Sequence, residues 1–470
     1  MKNKILLVPS LNIVNGQIEP FVPYGLLSLK AIALESENSD VDIASFTNTQ
    51  LETTFRDSDE VVETFINSID FEKYDVIGLS LVCNSAHYSI DLAKRIKEKN
   101  KKSIIIIGGP YVTKLSEQIL DEYSFIDACF IGEAEKSFLS FIDRPNISSN
   151  PFDGVVGVVS RGKKYINAGV IDNLDELPDI FSMPEYYNWL SIVRDTVGTN
   201  YPAPIEATRG CPLKCSFCST KQVWGPKVRR KSADRLIREM RKVSSVTGDD
   251  FFSFVGDNVG IPKNQFLKFC KELIELANDH KWGCSLKLNR FDLDDLSLMW
   301  LAGCRAMFIG LESASQETID RIDKASLINR EIDVTKAAIK LGFNVDTSFI
   351  IGFPWETEKD VRDTFELHCE LLKLGAHRSQ IGVLCPIPGT EIVSGYDVIF
   401  DGWSSYVAQD DVAMSDNHKY LVKSRPELYT HLGHYETPSV SKVILKAFSS
   451  AASQVSQLHQ RNKNGSIKQK

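Results

Sequence analysis

Long apolar runs are missing from this chain. Nothing approaches the roughly 20 consecutive apolar residues that a membrane-spanning helix needs, and Ile5-Leu-Leu-Val-Pro9 is too short for a span or a signal peptide. Positive charge is also scarce: 54 lysines and arginines face 62 acidic residues, a net charge of −8. Contact with a phosphate backbone is therefore not expected as the main activity, and no nucleic-acid partner is expected. The one basic run, Lys227-Val-Arg-Arg-Lys231, reads as a solvated face ahead of a helix. No internal period of about 20–50 residues is present, which excludes a solenoid. Ten cysteines in 470 residues, three of them clustered, do not make a disulfide framework. They argue for metal binding in a reducing compartment, so a cytoplasmic location is expected. An apolar content of 43% with 25% charged residues is that of an ordinary globular protein, and the length allows two to four domains.

The most consequential absence is a fourth cysteine. Cys211-Pro-Leu-Lys-Cys215-Ser-Phe-Cys218 places three thiols on one short loop, and the next cysteine, Cys270, lies far along the chain with no second Cys-x-x-Cys pair. Soft thiolates at this spacing suit an iron–sulfur cluster or zinc, and either site is normally completed by four ligands. Three cysteines holding a [4Fe–4S] cluster would leave one iron open to a cofactor or substrate. Such a cluster is a catalyst and not a staple, and this reading is preferred to a zinc knuckle.

The rest of the chain divides by its periodicity. Residues 1–145 alternate short β-branched runs with helical patterns, with strands expected at Ile5–Val8, Val41–Phe46, Val76–Leu81, Ile104–Ile107 and Ala128–Ile131. Near-continuous apolar strands belong in a parallel sheet covered on both faces, and five strand–helix units suggest an open doubly wound, Rossmann-like α/β sheet that binds ligands beyond the strands' carboxyl ends. Those ends carry Leu11, Ser80, Val82, Gly108, Gly109, Pro110, Gly132 and Glu133. His87, the first histidine of the chain, reads as a surface or capping residue at a helix start. Residues 146–200 read as a connector, with a hairpin over Val155–Val159 and Lys164–Ala168. Residues 201–390 again alternate strand and helix six times, which implies a partial (β/α)6 barrel with its chemistry at the carboxyl rim. The cysteine loop follows the first of these strands. Residues 391–459 carry Trp403, Tyr406, His418, Tyr420, Tyr429, His431, His434 and Tyr435 as candidates for a substrate lid, and 460–470 reads as a disordered tail.

From about residue 200 to 390 the sequence resembles the radical S-adenosylmethionine enzymes. The likeness rests on the cysteine loop, on Phe254-Val-Gly256-Asp257-Asn258, on Ile309-Gly-Leu-Glu312-Ser313, on Phe349-Ile-Ile-Gly352-Phe-Pro and on Leu384-Cys-Pro-Ile-Pro-Gly. The resemblance implies Cys211, Cys215 and Cys218 as cluster ligands. It also implies Phe217, Gly256, Asp257, Asn258, Arg290, Glu312, Ser313 and Gly352 as contacts for S-adenosylmethionine, which the family cleaves to a 5′-deoxyadenosyl radical. The series Tyr24-Gly-Leu-Leu, Ile107-Gly-Gly-Pro and Ile131-Gly-Glu-Ala-Glu resembles the cobalamin-binding domain that precedes many such cores. The Asp-x-His-x-x-Gly signature that supplies a cobalt-ligating histidine is missing, so no protein histidine is expected on the cobalt. The function implied is cobalamin-dependent methyl transfer to an unactivated carbon of a small-molecule or natural-product substrate, with a reductase or flavodoxin-type electron donor. Radical cyclisation, rearrangement or oxidation is the alternative within the same chemistry, and an iron–sulfur redox or oxygen sensor is the alternative of another class. A transfer-RNA methylthiotransferase is disfavoured, because the N-terminal domain holds only Cys83 and Cys129 where such proteins carry a second cluster.

Overall fold

Apolar strands with small residues at their ends build the first sheet of the computed structural model, which describes all residues except 1, 146, 148–150, 406–408, 410 and 468–470. Its strands are β1 (Asn3–Val8), β2 (Ser39–Ile43), β3 (Val76–Ser80), β4 (Ile104–Gly108), β5 (Ala128–Phe130) and β6 (Val158–Ser160), in the order β2-β1-β3-β4-β5-β6. All pairs are parallel except β5–β6. Alternate side chains sort to two cores. Ile5, Leu7, Val76 and Ile106 pack with Phe138 and Phe141 on one face, and Leu6, Val8, Ile77 and Ile107 pack with Leu92 and Val62 on the other. Both faces are thus dry, as the unbroken apolar runs require.

The expected hairpin does not form. Val158–Ser160 joins β5 as an edge strand, and the 164–168 segment contributes one backbone bond, from Gly157 N to Ile166 O at 2.6 Å, and no ladder. A connector helix, Pro184–Val197, was not anticipated; proline at its first position supplies a preset φ and lacks only an N–H that would be unbonded there. Its Trp189 packs edge-on against Phe46 of the first unit at 5.6 Å, and Tyr186 Oη donates to Pro204 O at the start of the second at 3.0 Å.

The second sheet runs β7 (Ala203–Glu206), β8 (Phe251–Val255), β9 (Lys281–Leu286), β10 (Cys304–Glu312), β11 (Asn344–Ile351) and β12 (Arg378–Val383), each paired in parallel with the next. Six strands in sequential order with intervening helices make the partial barrel. Side-chain capping fixes several of the helix starts after these strands; the box formed by Thr357 and Asp360 opens the Glu358–Leu374 helix.

Beyond the barrel the chain doubles back. The Asp416–Ser424 helix packs on the first unit's Ala86–Lys99 helix, and the Lys442–Ile467 helix lies along β12. The tail is therefore helical through Ile467: Ser456 Oγ donates to Ser379 O at 2.6 Å, and the side chains of His459, Gln460 and Lys463 engage carbonyls of Ala376 and His377, so polar residues find partners on the barrel. His87 is buried as well, with its ring 5.3 Å from that of His418 on the returning segment. Among the described residues, no helix is long and apolar enough to cross a membrane.

Candidate active site

The cysteine loop grows from a fixed base. Thr208–Arg209 pairs antiparallel with Arg229–Arg230, and Gly210 then takes φ +93°, where a Cβ would strike Lys227 O. Only glycine enters that turn without strain. Cys211 N donates to Gly225 O at 3.2 Å and Ser216 N to Ile322 O at 2.9 Å, so the loop is held at both limbs. All three thiols line one cavity of about 640 Å³, whose described lining contains no other cysteine and no histidine. Burial pushes the Cys215 thiol up to about 12 and raises Cys211. Free thiolates are thus disfavoured here, whereas coordination to a cationic cluster deprotonates a thiol outright. Three soft donors around an open cavity fit a [4Fe–4S] cluster with one iron left for a further ligand.

Phe217, Asp257, Asn258 and Glu312 line the same cavity. Desolvation within it raises the Asp257 carboxyl, although Thr220 Oγ1 donates to it at 3.0 Å. Asn258 is buried, and its Oδ1 has no protein partner among the described residues. Glu312 sits at φ +67° on a bulge where the β10–β11 register shifts. A non-glycine residue there stores on the order of 1–3 kcal/mol and is held only by its surroundings. The holder is Lys324, whose Nζ lies 2.7 Å from Glu312 Oε1 and also bonds Gly310 O. Burial alone would lower the Lys324 ammonium, yet the Glu312 and Glu331 carboxylates raise it above its ordinary value.

Four expected contacts lie outside this lining. Gly256 packs against Thr208, and Arg290 offers its carbonyl to Lys263 Nζ at 2.8 Å. Ser313 is fully buried with its hydroxyl 3.4 Å from Thr364 Oγ1, and Gly352 donates its amide to Glu356 at 2.7 Å. Lys287 and Lys324, which do line the cavity, were not foreseen. Each reaches it by tertiary pairing alone: Lys287 Nζ donates to Ala325 O at 2.8 Å across 38 residues, which no spacing rule encodes.

A second cavity, of about 300 Å³, opens at the carboxyl ends of β3, β4 and β5. Ser80, Gly108, Gly109, Pro110, Gly132 and Glu133 line it, while Leu11 and Val82 do not. Leu11 is instead fully buried in the core. Gly109 has φ +103°, and a Cβ there would lie 2.6 Å from Leu81 O, so the strand end needs glycine to present bare backbone. The lining is mostly apolar and contains no histidine among the described residues; His87 is elsewhere. Concave, apolar and edged by backbone donors, the crevice suits part of a large cofactor such as cobalamin, and it offers cobalt no imidazole.

A buried ion-pair network lies in the wall of this second cavity, and Arg209 within it is two residues from the first cluster cysteine. Arg209 lies 3.1 Å from Glu133 and 2.7 Å from Glu135 of the first unit, and 2.8 Å from Glu206 of the second. Arg229 also pairs with Glu133, and the Arg209 guanidinium stacks on Trp224 at 5.1 Å. All five charged groups are buried. Glu133, expected as a cobalamin contact, thus has two arginines as partners as well as a place in the wall.

Comparison with known proteins agrees with this geometry. The profile of the Radical SAM superfamily matches residues 205–368, and that of the B12 binding domain matches residues 20–142. An uncharacterized methyltransferase of Pyrococcus horikoshii is 26% identical over 434 residues, covering 91% of this chain and 86% of that protein. The anaerobic magnesium-protoporphyrin IX monomethyl ester cyclase of Cereibacter sphaeroides is 22% identical over 300 residues, covering 62% of this chain and 49% of the cyclase. Among solved structures, the radical S-adenosylmethionine methyltransferase TsrM from Kitasatospora setae, with cobalamin and a [4Fe–4S] cluster bound, superposes with a TM-score of 0.65 at 15% identity, over 83% of this chain and 77% of that one. The chain belongs to the radical SAM superfamily, in the group that carries a B12-binding domain ahead of the radical SAM domain. It is an enzyme, and its cofactors are a [4Fe–4S] cluster, S-adenosylmethionine and cobalamin.

Proposed function

We propose that this enzyme transfers a methyl group to an unactivated carbon of a small-molecule substrate. The observation that carries the reading is the joining of the two sites by one short stretch of chain: Arg209 lines the crevice of the first unit, and Cys211, two residues on, lines the cavity that holds the three thiols. When bound, the cofactors supply hydrogen abstraction from an inert carbon and a methyl group to place there. The protein's own residues do the rest. Cys211, Cys215 and Cys218 hold three irons, Asn258 and Asp257 offer acceptors to the amine of S-adenosylmethionine, and the Lys324–Glu312 pair fixes a carboxylate at the rim. Phe217, edge-on to Phe353 at 6.1 Å, shields the loop from water. The relationship to methyltransferases of Pyrococcus and Kitasatospora supports this reading.

Cyclisation is the second reading, supported by the relationship to the Cereibacter cyclase. An anaerobic assay with candidate substrates separates the two. Methyl transfer consumes two molecules of S-adenosylmethionine per turnover and releases S-adenosylhomocysteine and 5′-deoxyadenosine in about equal amounts. Turnover with 5′-deoxyadenosine alone would overturn methyl transfer in favour of cyclisation or oxidation. A reductase or flavodoxin-type electron donor and a reducing, cytoplasmic setting complete the proposal.

A further inference from the structure

Arg209 belongs to one cofactor site by its side chain and adjoins the other along the chain. It lines the cobalamin cavity, and two residues later the chain reaches the first cluster ligand, Cys211. Its three carboxylate partners come from both sides of the domain boundary: Glu133 lies just ahead of the helix after β5, Glu135 opens that helix, and Glu206 ends β7. The network is closed and specific. Ser28 Oγ donates to Glu135 at 3.0 Å, Ile171 N to Glu133 at 3.2 Å, and Arg229 completes the pairing. A guanidinium with every edge engaged cannot follow one carboxylate without moving against the others, because its five donors sit in a rigid fork. Displacing Glu133 or Glu135 therefore pulls on the loop base at Thr208–Arg209, and only the turn at Gly210 separates that base from Cys211.

We propose that Arg209 is a positioning residue that couples the two cofactor sites, so that filling either one raises the affinity of the other. Cobalamin in its cavity packs against the Glu133–Glu135 wall and fixes the carboxylates; the cluster fixes the loop base from the opposite end. Each event selects one position of the same rigidly paired guanidinium, so the second meets a network already set in that position. The coupling is reciprocal by linkage, and coupled sites commonly differ by roughly 5- to 150-fold. This inference rests on the cofactor assignment and is independent of whether methyl transfer or cyclisation follows.

The test is hydroxocobalamin affinity by equilibrium dialysis of the full-length protein, before and after anaerobic cluster reconstitution. The wild type is expected to bind about tenfold more tightly once the cluster is in place. Arg209→Lys keeps a charge but loses the fork, and it is expected to bind cobalamin with one affinity in both states while retaining its iron. Glu135→Gln cuts the link from the cobalamin side, leaves the cluster loop untouched, and is expected to behave likewise if the arginine variant does not fold. Equal wild-type affinities in the two states would overturn the coupling, as would a full tenfold difference persisting in Glu135→Gln. Absence of any cobalamin binding would overturn the cofactor assignment and the coupling with it.

Discussion

Tyr123 and Tyr429 join their hydroxyls at 2.9 Å, 306 residues apart in sequence. The bond ties the helix after β4 to the segment that returns from the barrel. Beside it, Tyr111 Oη donates to Leu428 O, and Arg425 pairs with Glu122 at 2.6 Å. Of the aromatic and histidine residues that read as a lid, His418, Tyr429 and His431 are buried in this seam, and His434 and Tyr435 are buried within the returning segment itself, while Tyr420 is exposed and Tyr406 lies outside the described residues. The segment is a strap between the two units.

Removing that hydroxyl weakens the strap without emptying it. Tyr429→Phe leaves Tyr123 with a buried unpaired hydroxyl and is expected to cost about 1–2 kcal/mol, whereas Tyr429→Ala opens a cavity and is expected to cost about 3–5 kcal/mol. Denaturant melts followed by fluorescence measure both. Equal losses would mean that the ring does not fill the seam.

The cluster prediction needs no substrate. Changing Cys211, Cys215 and Cys218 together to alanine is expected to abolish iron binding after anaerobic reconstitution and the broad absorbance near about 400 nm that thiolate-bound iron–sulfur centres show. Iron analysis and the visible spectrum decide it; a full complement of iron in the triple variant would refute the ligand set.

Cobalamin uptake is expected to fail by steric exclusion in Gly108→Trp. The glycine lines the crevice, and a Cβ there would meet only Phe130, at 3.6 Å, so a larger side chain extends into free space and the sheet survives. Wild-type bound cobalt is expected to show no histidine nitrogen coupling in its paramagnetic spectrum, because no imidazole lines the crevice. A coupling that disappears in His87→Ala would contradict this.

Glu356 gives a pH signature. Burial raises its pKa from the ordinary 4.5 to about 8, against the opposing pull of the Phe353 and Gly352 amides. Between about pH 4.5 and 8 the native state therefore holds a proton that the unfolded chain has released. Stability falls where the native state binds more protons, so this group is expected to lower the melting temperature as pH rises through that window and to add nothing further above it. Glu356→Gln keeps an acceptor for both amides and removes the proton; its melting temperature is expected to be flatter over the same range. An unchanged slope in the variant would place the titration on another group.

Residues with a local signature were legible in the sequence. The apolar runs of β1, β3 and β4 fall within two residues of their expected ends, since a strand covered on both faces needs an unbroken apolar stretch. The cysteine spacing led to a loop whose thiols share one cavity, because three ligands on one turn are a local property. What escaped was settled by distant partners. His87 looked like a surface residue because nothing near it reveals that residues 416–424 will cover it. The tail looked disordered because its polar side chains find their acceptors in the turn ahead of β12, about 80 residues earlier. Arg209 was passed over for the cysteines beside it, although its pairing with a Gly-Glu-Ala-Glu segment 74 residues away joins the two units. Leu11 shows the converse: lying near a strand end does not bring a side chain to the crevice, and this one is buried in the core.

The helix along β12 has a consequence for how the chain is made. Strand β12 ends at Val383 and its cover begins at Lys442, so the ribosome adds 58 residues between them. At the roughly 5–20 residues per second of synthesis, the strand waits on the order of 3–12 s with its outer edge and apolar face bare. Local collapse takes microseconds, so a five- or six-stranded half-shell has ample time to form first. For those seconds the nascent barrel presents an open strand edge, the surface through which chains stick to one another. The late docking of one amphipathic helix ends that exposure, which makes translation speed and chaperone supply, more than the sequence of the core, the expected determinants of how much protein is recovered intact.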